Sequence, residues 1–132
     1  MYEFDDKLPK TTTYWKEKEV FHIKHTSFRV TMEEANAIAE LLKLSVRDED
    51  TKAIVIDNRE ASGVWTQEVN KIWDDVFVEV KDRKPKKYVT LTNSAIGAMQ
   101  INRMSRGNGI ENMVKAFFND ATGEVEAFIE AE

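Results

Sequence analysis

The most regular pattern of apolar and polar positions lies between residues 31 and 46. Its apolar members recur at helical spacing, at Ala35, Ile38, Ala39, Leu42 and Val46. Thr31 precedes this run, and Glu34 comes three residues after Thr31. This is the capping-box spacing, in which each side chain accepts a hydrogen bond from the backbone N–H of the other residue. The pattern predicts an amphipathic helix over residues 31–46 with one buried stripe.

Two segments have the pattern of β-structure. Ala53–Ile56 is a continuous apolar run within a predicted strand at Lys52–Asp57, as is typical of a central parallel strand covered on both faces. Tyr14–Lys24 is rich in aromatic and β-branched residues and predicts a strand. Alternation along it separates Val20, His22 and Lys24 from Phe21 and Ile23. A hairpin that turns near Lys18 is the alternative for this segment.

The second half of the chain continues the alternation of helix and strand. Helical spacing returns in Thr66–Val80, with a stripe made of Val69, Ile72, Trp73, Val76 and Val80. Pro85 ends this helix ahead of a strand at Tyr88–Thr92. The remaining predicted elements are a helix from Ser94 to about Arg106, a strand at Met113–Phe118 and a final helix that presents Val125, Phe128 and Ile129.

The predicted order of elements is β-α-β-α-β-α-β-α. Such alternation is typical of an α/β fold, here a single domain over residues 1–132 with a mostly parallel central sheet and helices packed on it. We expect Ala53–Ile56 to be an interior strand and residues 1–12 to form a flexible N-terminal arm. The side chains expected in the core are Ile38, Leu42, Val69, Trp73 and Val76.

Composition narrows the class of protein. The 132 residues include no cysteine and carry a net charge of −5. The negative charge argues against nucleic-acid binding, and the lack of cysteine excludes a disulfide, a thiol nucleophile and a thiolate metal site. The longest apolar run is far shorter than the roughly 20 residues that span a bilayer. The acidic first residues lack a signal-peptide pattern, so we expect a cytoplasmic protein without a membrane span.

Few residues suggest catalysis or a bound group. His22 and His25 are three residues apart, which places them on opposite faces of a strand and argues against a metal site. The segment Arg106–Gly109 contains two glycines but lacks the Lys-Ser/Thr ending of a phosphate-binding loop. We therefore expect no enzymatic activity, no metal and no cofactor. The basic stretch Lys81–Lys87 is interpreted as solvated surface, with an acidic partner or a membrane surface as alternatives.

The loop Asp57–Gly63 is the strongest candidate for a functional site. It follows the central strand, and ligands of open α/β sheets bind near the carboxyl ends of the strands. Ser62 and Gly63 come just before the predicted helix, whose N-terminus would stabilise a phosphate on the serine. The structural alternative is that Ser62 or Thr66 caps the helix.

Five segments together resemble the STAS domain family, the fold of bacterial anti-sigma-factor antagonists, and particularly its SpoIIAA-like (STAS/SEC14-related) branch. They are Val20–Lys24, Thr31–Ala35, Ala53–Asp57, Ser62-Gly63 and Ala116–Asp120, in that order. The resemblance implies a non-enzymatic regulatory or protein-interaction module. It also implies a protein partner of the anti-sigma type.

Antagonists of the STAS family use a serine directly before a glycine as a phosphorylation switch. Glu60-Ala61-Ser62-Gly63 is similar to a degenerate form of their Asp-Ser-Ser-Gly signature, in a shorter loop. The resemblance therefore implies Ser62 as phosphoacceptor, within a switch loop that also contains Asp57, Glu60 and Gly63.

Apolar residues outside the main helical stripes suggest association. Phe77 and Val78 widen the apolar surface of Thr66–Val80, and Met99 and Met104 lie on a helix that is apolar around most of its circumference. Large exposed apolar patches usually mark interfaces, so we predict a homodimer that uses one of these two helices. The alternative function is a small carrier or sensor of an apolar, lipid-like ligand.

Overall fold

The computed structural model describes residues 3–63, 65–82, 86–107, 109–118 and 123–131, with only the backbone at residues 3, 4, 77 and 80–82. After a short 3-10 helix at Glu3–Lys7, the strands are β1 (Thr12–Glu17), β2 (Val20–His25), β3 (Ala53–Asp57), β4 (Lys87–Thr92) and β5 (Val114–Phe118). The helices are α1 (Met32–Arg47), α2 (Gln67–Asp82), α3 (Ala95–Gly107) and α4 (Glu124–Glu130).

The five strands form one sheet in the order β1-β2-β3-β4-β5. β1 runs antiparallel to β2, and every other neighbouring pair is parallel. The mostly parallel α/β fold is therefore confirmed. β3 lies in the middle of the sheet, and its first three residues are buried, because helices pack on both faces of the sheet. The prediction of Ala53–Ile56 as an interior strand is also confirmed.

The segment Tyr14–Lys24 is a hairpin and not one strand, so the alternative interpretation was correct. Glu17 pairs with Val20, and the two residues between them turn the chain. Lys18 and Glu19 have φ values of 51° and 68°, the left-handed conformation that a two-residue hairpin turn requires at both positions. The turn was hard to predict because glycine or asparagine normally occupies such positions.

Helix α1 begins as its sequence predicts. The backbone N–H of Glu34 donates to Thr31 Oγ1 at 3.1 Å, and the backbone N–H of Thr31 donates to Glu34 Oε1 at 2.8 Å. Both bonds of the capping box are thus present, and two otherwise unpaired N–H groups are satisfied. Along the helix, Ala35, Ile38 and Leu41 are fully buried.

The two faces of the sheet are covered to different extents. On the first face, side chains of β2 and β3 pack with α1 and α2 in a cluster made of Phe21, Ile23, Ala39, Leu41, Val46, Ile54 and Val76. On the opposite face, α4 packs against a smaller cluster made of Val55, Val89, Leu91 and Phe117. Of the predicted core residues, Ile38, Val69 and Val76 are buried, whereas Leu42 and Trp73 are half-buried.

The N-terminal residues that the structure describes lie against the domain. The Tyr14 hydroxyl donates to Asp5 Oδ1 at 2.6 Å, and the backbone N–H of Thr12 donates to the Pro9 carbonyl at 3.1 Å. Residue 12, the last of the predicted N-terminal arm, is already the first residue of β1, and the 3-10 helix within the arm contacts α1. Within the described ranges, no helix combines the length and apolar character needed to cross a bilayer.

Candidate functional site

The predicted switch loop lies where the parallel strands end. We call this end of β2, β3, β4 and β5 the carboxyl edge and the opposite end the amino edge. Backbone hydrogen bonds hold the loop in place: the N–H of Asn58 donates to the Leu91 carbonyl at 2.7 Å, and the N–H of Ala61 donates to the Asn58 carbonyl at 3.1 Å. The side-chain amide of Asn93 donates to the Arg59 carbonyl at 2.9 Å. The loop is thus tied to β4 and to the start of α3.

Ser62 joins the loop to the segment after β2. Its carbonyl accepts from the N–H of Phe28 at 2.9 Å, and its own N–H donates to the Thr26 carbonyl at 3.4 Å. These bonds form a parallel bridge between Ser62 and Ser27. The Ser62 side chain is exposed, and its hydroxyl makes no hydrogen bond with the residues that the structure describes. A fixed backbone therefore presents a free hydroxyl to solvent.

The acidic residues of the loop are paired with cations. Arg59 donates to Asp57 from Nε at 2.9 Å and from its terminal nitrogen at 2.8 Å, a bidentate arrangement. Partial burial of Asp57 opposes its ionisation, but the bonds from Arg59 outweigh this effect and lower the pKa of Asp57. Lys24 and Glu60 form a second ion pair, which raises the pKa of Lys24. The predicted site residues Asp57 and Glu60 therefore help to order the loop.

Gly63 has a conformation and a position that favour glycine. Its φ is +87°, and a Cβ atom placed there would lie 3.2 Å from Cγ of Arg29. The Arg29 side chain thus passes directly over Gly63, beside Ser62. A guanidinium in this position is available to a negatively charged group on the neighbouring serine.

Thr66, and not Ser62, caps helix α2. Thr66 Oγ1 accepts a hydrogen bond from the N–H of Val69 at 3.3 Å, and its carbonyl accepts from the N–H of Asn70 at 3.0 Å. Because α2 begins at Gln67, Ser62 lies outside its first turn. Ser62 therefore does not supply the cap, and stabilisation of a phosphate on Ser62 by the helix N-terminus stays a prediction.

An aromatic cluster that the sequence analysis missed lies next to the loop. The Trp65 ring centroid lies 4.5 Å from that of Phe28, 5.2 Å from that of Trp73 and 5.6 Å from that of His25. His25 is only 3% exposed, and its Nδ1 lies 2.9 Å from Thr12 Oγ1. Burial lowers the pKa of His25 to about 4, so the ring is neutral at pH 7. Its alternation with Phe21 and Ile23 was the signal that could have predicted this burial.

The part of the sheet that α4 leaves uncovered forms an open groove. Trp15 of β1 stacks on His22 of β2 with 5.0 Å between ring centroids, and Trp15 is 43% exposed. The groove has a volume of about 500 Å³, and Asp57 and Arg59 line it. Its apolar lining consists of Trp15, Val20, Val55, Leu91, Val125 and Ile129. Burial lowers the pKa of His22. Besides Asp57 and Arg59, the charged residues Glu17, Lys18 and Glu126 line the groove, so its surface is partly apolar and partly charged.

The predicted interface residues lie on two helices. Val78 of α2 is 60% exposed, and on α3 Met99 is 60% and Met104 43% exposed. The side chain of Phe77 lies outside the described residues. Ile96, which is 69% exposed and lies about one turn before Met99, extends the α3 patch beyond the residues named from the sequence.

The two histidines do not converge on a metal site. His25 points into the covered face, while His22 lines the open groove. Across the described part of the chain, no group of three His, Asp or Glu side chains is arranged to hold a metal ion.

Comparisons with known proteins bear on the fold. The structure is similar to that of an anti-sigma factor antagonist from Mycobacterium paratuberculosis, with a TM-score of 0.56 and 14% identity, over 89% of this chain and 92% of that one. DspI from Pseudomonas aeruginosa aligns with a TM-score of 0.42 and 13% identity over 66% of this chain and 43% of its own. No protein-family model and no curated protein sequence matches the chain. The likeness to the antagonist confirms the STAS-type fold that the resemblance predicted.

Proposed function

We propose that this protein is a non-enzymatic regulatory module of the bacterial cytoplasm that binds a protein partner through its carboxyl edge. Ser62 is the phosphoswitch of this surface, and the partner is a regulator of the anti-sigma type. The STAS-type fold supports the class of function. The observation that carries the proposal is the exposed Ser62 hydroxyl, presented by a loop that backbone hydrogen bonds hold in place.

The charges around Ser62 are compatible with a phosphate group. Such a group brings a charge of about −1.5 to −2. Asp57 and Glu60, which would otherwise repel it, are paired with Arg59 and Lys24. Arg29 lies over the adjacent Gly63 and can form a charge-assisted hydrogen bond with phosphate oxygens. Phosphorylation would therefore alter the charge of the surface without unfolding the loop.

A switch that acts on a partner should leave stability nearly unchanged. Because Ser62 caps no helix, Ser62→Ala and Ser62→Asp should each shift the free energy of unfolding by less than about 0.5 kcal/mol. The matched control is Thr66→Ala, which removes the observed cap and should cost about 0.5–2 kcal/mol. Thermal denaturation of the variants measures these differences.

The binding test compares two variants that add the same charge in different places. Asn112→Asp changes an exposed residue just before β5 at the amino edge, the opposite end of the sheet from Ser62, and serves as the control. Partners captured from cell extract by the wild-type protein are identified by mass spectrometry, purified and titrated by calorimetry. Binding should weaken or strengthen at least tenfold with Ser62→Asp and stay unchanged with Asn112→Asp. Equal affinity for all three proteins would refute the switch.

The homodimer is a further part of the proposal. Ile96 and Met99 form an exposed apolar patch on α3, the kind of surface that oligomers bury. Light scattering at high micromolar concentration should give the mass of a dimer, and Met99→Glu should give that of a monomer. Val78→Glu, which changes an equally exposed apolar residue of α2, is the control. A wild-type monomer would contradict this part.

The second candidate function is a sensor or carrier of an apolar ligand. The groove between Trp15 and α4 favours it, because its volume of about 500 Å³ lies in the range of ligand pockets and much of its lining is apolar. Protein purified from cells would release a bound lipid-like molecule in native mass spectra. Trp15→Ala should lower the amount released, whereas an empty wild-type protein would argue against this function.

A further inference from the structure

A second cavity lies at the amino edge, away from the switch loop. Its volume is about 460 Å³, and it is bordered by the end of α3, the starts of β4 and β5, and α4. The charged side chains that line it are Lys87, Arg106, Lys115 and Glu111, so its lining carries an excess of positive charge. This excess contrasts with the net charge of −5 for the whole chain.

The three cations of this cavity differ from the paired cations elsewhere in the structure. Carboxylates pair with Lys16, Lys24, Arg47, Lys52 and Arg59. Among the described residues, no carboxylate lies within ion-pair distance of Lys87, Arg106 or Lys115. Glu111 lines the same cavity but forms no ion pair with them. The positive charge is therefore available to a ligand.

Phe128 and a backbone carbonyl position the two lysines. The Nζ atom of Lys87 lies 4.7 Å from the Phe128 ring centroid and donates to the Asn112 carbonyl at 2.6 Å. The Nζ atom of Lys115 lies 6.0 Å from the same centroid and 5.1 Å from that of Phe117. Cation–π contacts of this kind hold an ammonium group without neutralising it.

The structural alternative is that these cations only compensate the carbonyl groups at the end of α3. Those carbonyls already have donors: the N–H of Ile110 donates to Ser105 at 2.9 Å, and that of Gly109 donates to Arg106 at 3.1 Å. Within the basic stretch, Lys86 takes the compensating role, because its ammonium group donates to the Ser45 and Asp48 carbonyls at the end of α1. Lys87 and Lys115 are thus not needed for helix capping.

We propose that this amino-edge cavity binds the phosphate group of a small phosphorylated molecule. Three cations can neutralise a phosphomonoester or a pyrophosphate, and lysine binds phosphate as a point charge. The cavity volume lies in the range of small-molecule sites, and Phe128 provides apolar surface for the rest of the ligand. The site lies at the opposite edge from Ser62, so it does not depend on the proposed switch.

Inorganic pyrophosphate is the first probe, titrated into the protein while backbone amide resonances are followed by NMR. The largest shifts should occur at Asn112, Val114 and Lys115. Lys115→Gln should weaken binding about tenfold, as expected for the loss of one charged hydrogen bond. The control, Lys71→Gln, removes an exposed lysine of α2 and should change nothing. Arg106→Gln is a second variant in case Lys115→Gln fails to fold, which circular dichroism would show.

A second arm separates a soluble ligand from a lipid headgroup. Sedimentation with phosphatidylcholine vesicles that contain phosphatidylserine or phosphatidic acid is compared with the pyrophosphate titration for the same variants. Binding in either arm that depends on Lys115 or Arg106 but not on Lys71 supports the site and identifies the source of the phosphate. Binding that all three variants weaken equally, or no binding in both arms, overturns the proposal.

Discussion

The two edges of the sheet use their charges in opposite ways. At the carboxyl edge, Asp57 is paired with Arg59 and Glu60 with Lys24, so the charges order the loop and cancel one another. At the amino-edge cavity, aromatic rings and a carbonyl hold Lys87 and Lys115, and no carboxylate of the described residues pairs with either lysine. The first arrangement presents a neutral, rigid loop with one free hydroxyl, and the second presents available positive charge. Pairing with a carboxylate, and not position alone, decides whether the charge of a residue is available to a ligand.

The largest expected effect is a loss of stability in acid that originates from His25 at the carboxyl edge. His25 ends β2 at the carboxyl edge, and its pKa of about 4 in the folded state lies below the usual value of 6.5. The unfolded chain therefore binds a proton more readily, and stability falls as pH drops from about 6.5 to 4. The shift corresponds to a loss of about 3 kcal/mol. Denaturant titrations at several pH values should show this slope in the wild-type protein and lose most of it in His25→Phe.

The matched control for this slope is His22→Phe on the open face. Burial also lowers the pKa of His22, but that ring is only half-buried, so its removal should reduce the slope much less. Equal slopes in His25→Phe and wild type would show that acid sensitivity does not originate at the carboxyl edge.

The second effect compares one glycine from each edge. Gly63 has a φ of +87° and Arg29 lies close to it, whereas Gly109 has a φ of +69° and nothing within 4 Å of an added Cβ. Gly109→Ala should cost about 1 kcal/mol for the left-handed backbone alone. Gly63→Ala should cost about 2 kcal/mol, because Arg29 must also move. Equal losses in chemical denaturation would show that Arg29 moves aside freely.

The third effect is an acid response at the amino edge in a lower pH range. Hydrogen bonds from Lys16 and Thr51 lower the pKa of Asp48 to about 2. Asp48 therefore stabilises the fold above its usual value of 3.8, and this contribution is lost as pH falls towards 2. The Asp48 side chain is 30% exposed, so solvent screens the interaction, and we expect this contribution to the free energy of unfolding to be about 1 kcal/mol. Asp48→Asn should remove this slope, and Asp50→Asn should retain it.

The smallest effect tests the pairing of charges directly. Arg59→Gln breaks the ion pair with Asp57 and should destabilise the protein by at most about 1 kcal/mol. Lys115→Gln breaks no ion pair among the residues that the structure describes and should change the free energy of unfolding by less than about 0.5 kcal/mol. Chemical denaturation measures both. A larger loss for Lys115→Gln would mean that its contacts with the aromatic rings are structural, and the contrast between the edges would fail.

Local sequence patterns predicted the elements whose signals are confined to neighbouring residues. The capping box of Thr31 and Glu34 defined the start of α1, because both of its hydrogen bonds lie within one turn. The apolar run Ala53–Ile56 predicted the central strand, since only a strand with two covered faces is apolar throughout. The loop Asp57–Gly63 follows that strand as predicted, and its function as a switch stays a proposal.

Tertiary structure decided what depends on distant residues. The turn at Lys18 and Glu19 forms because β1 and β2 pair along their whole length, which outweighs the unfavourable backbone of two non-glycine residues. The position of Ser62 depends on a bridge to Ser27, thirty-five positions earlier in the chain. Sequence spacing alone left Ser62 and Thr66 as equal candidates for the cap of α2.

The amino-edge cavity is the clearest example of a feature that depends on residues far apart in the chain. Its cations come from β4, α3 and β5, and their shared ring is Phe128 of α4. By itself the sequence determined where most of the helices and strands lie, because hydrophobic period and capping act over a few residues. Only the tertiary structure decided which charges are paired and which remain available, because Coulomb interactions depend on distances in space between residues far apart in the chain.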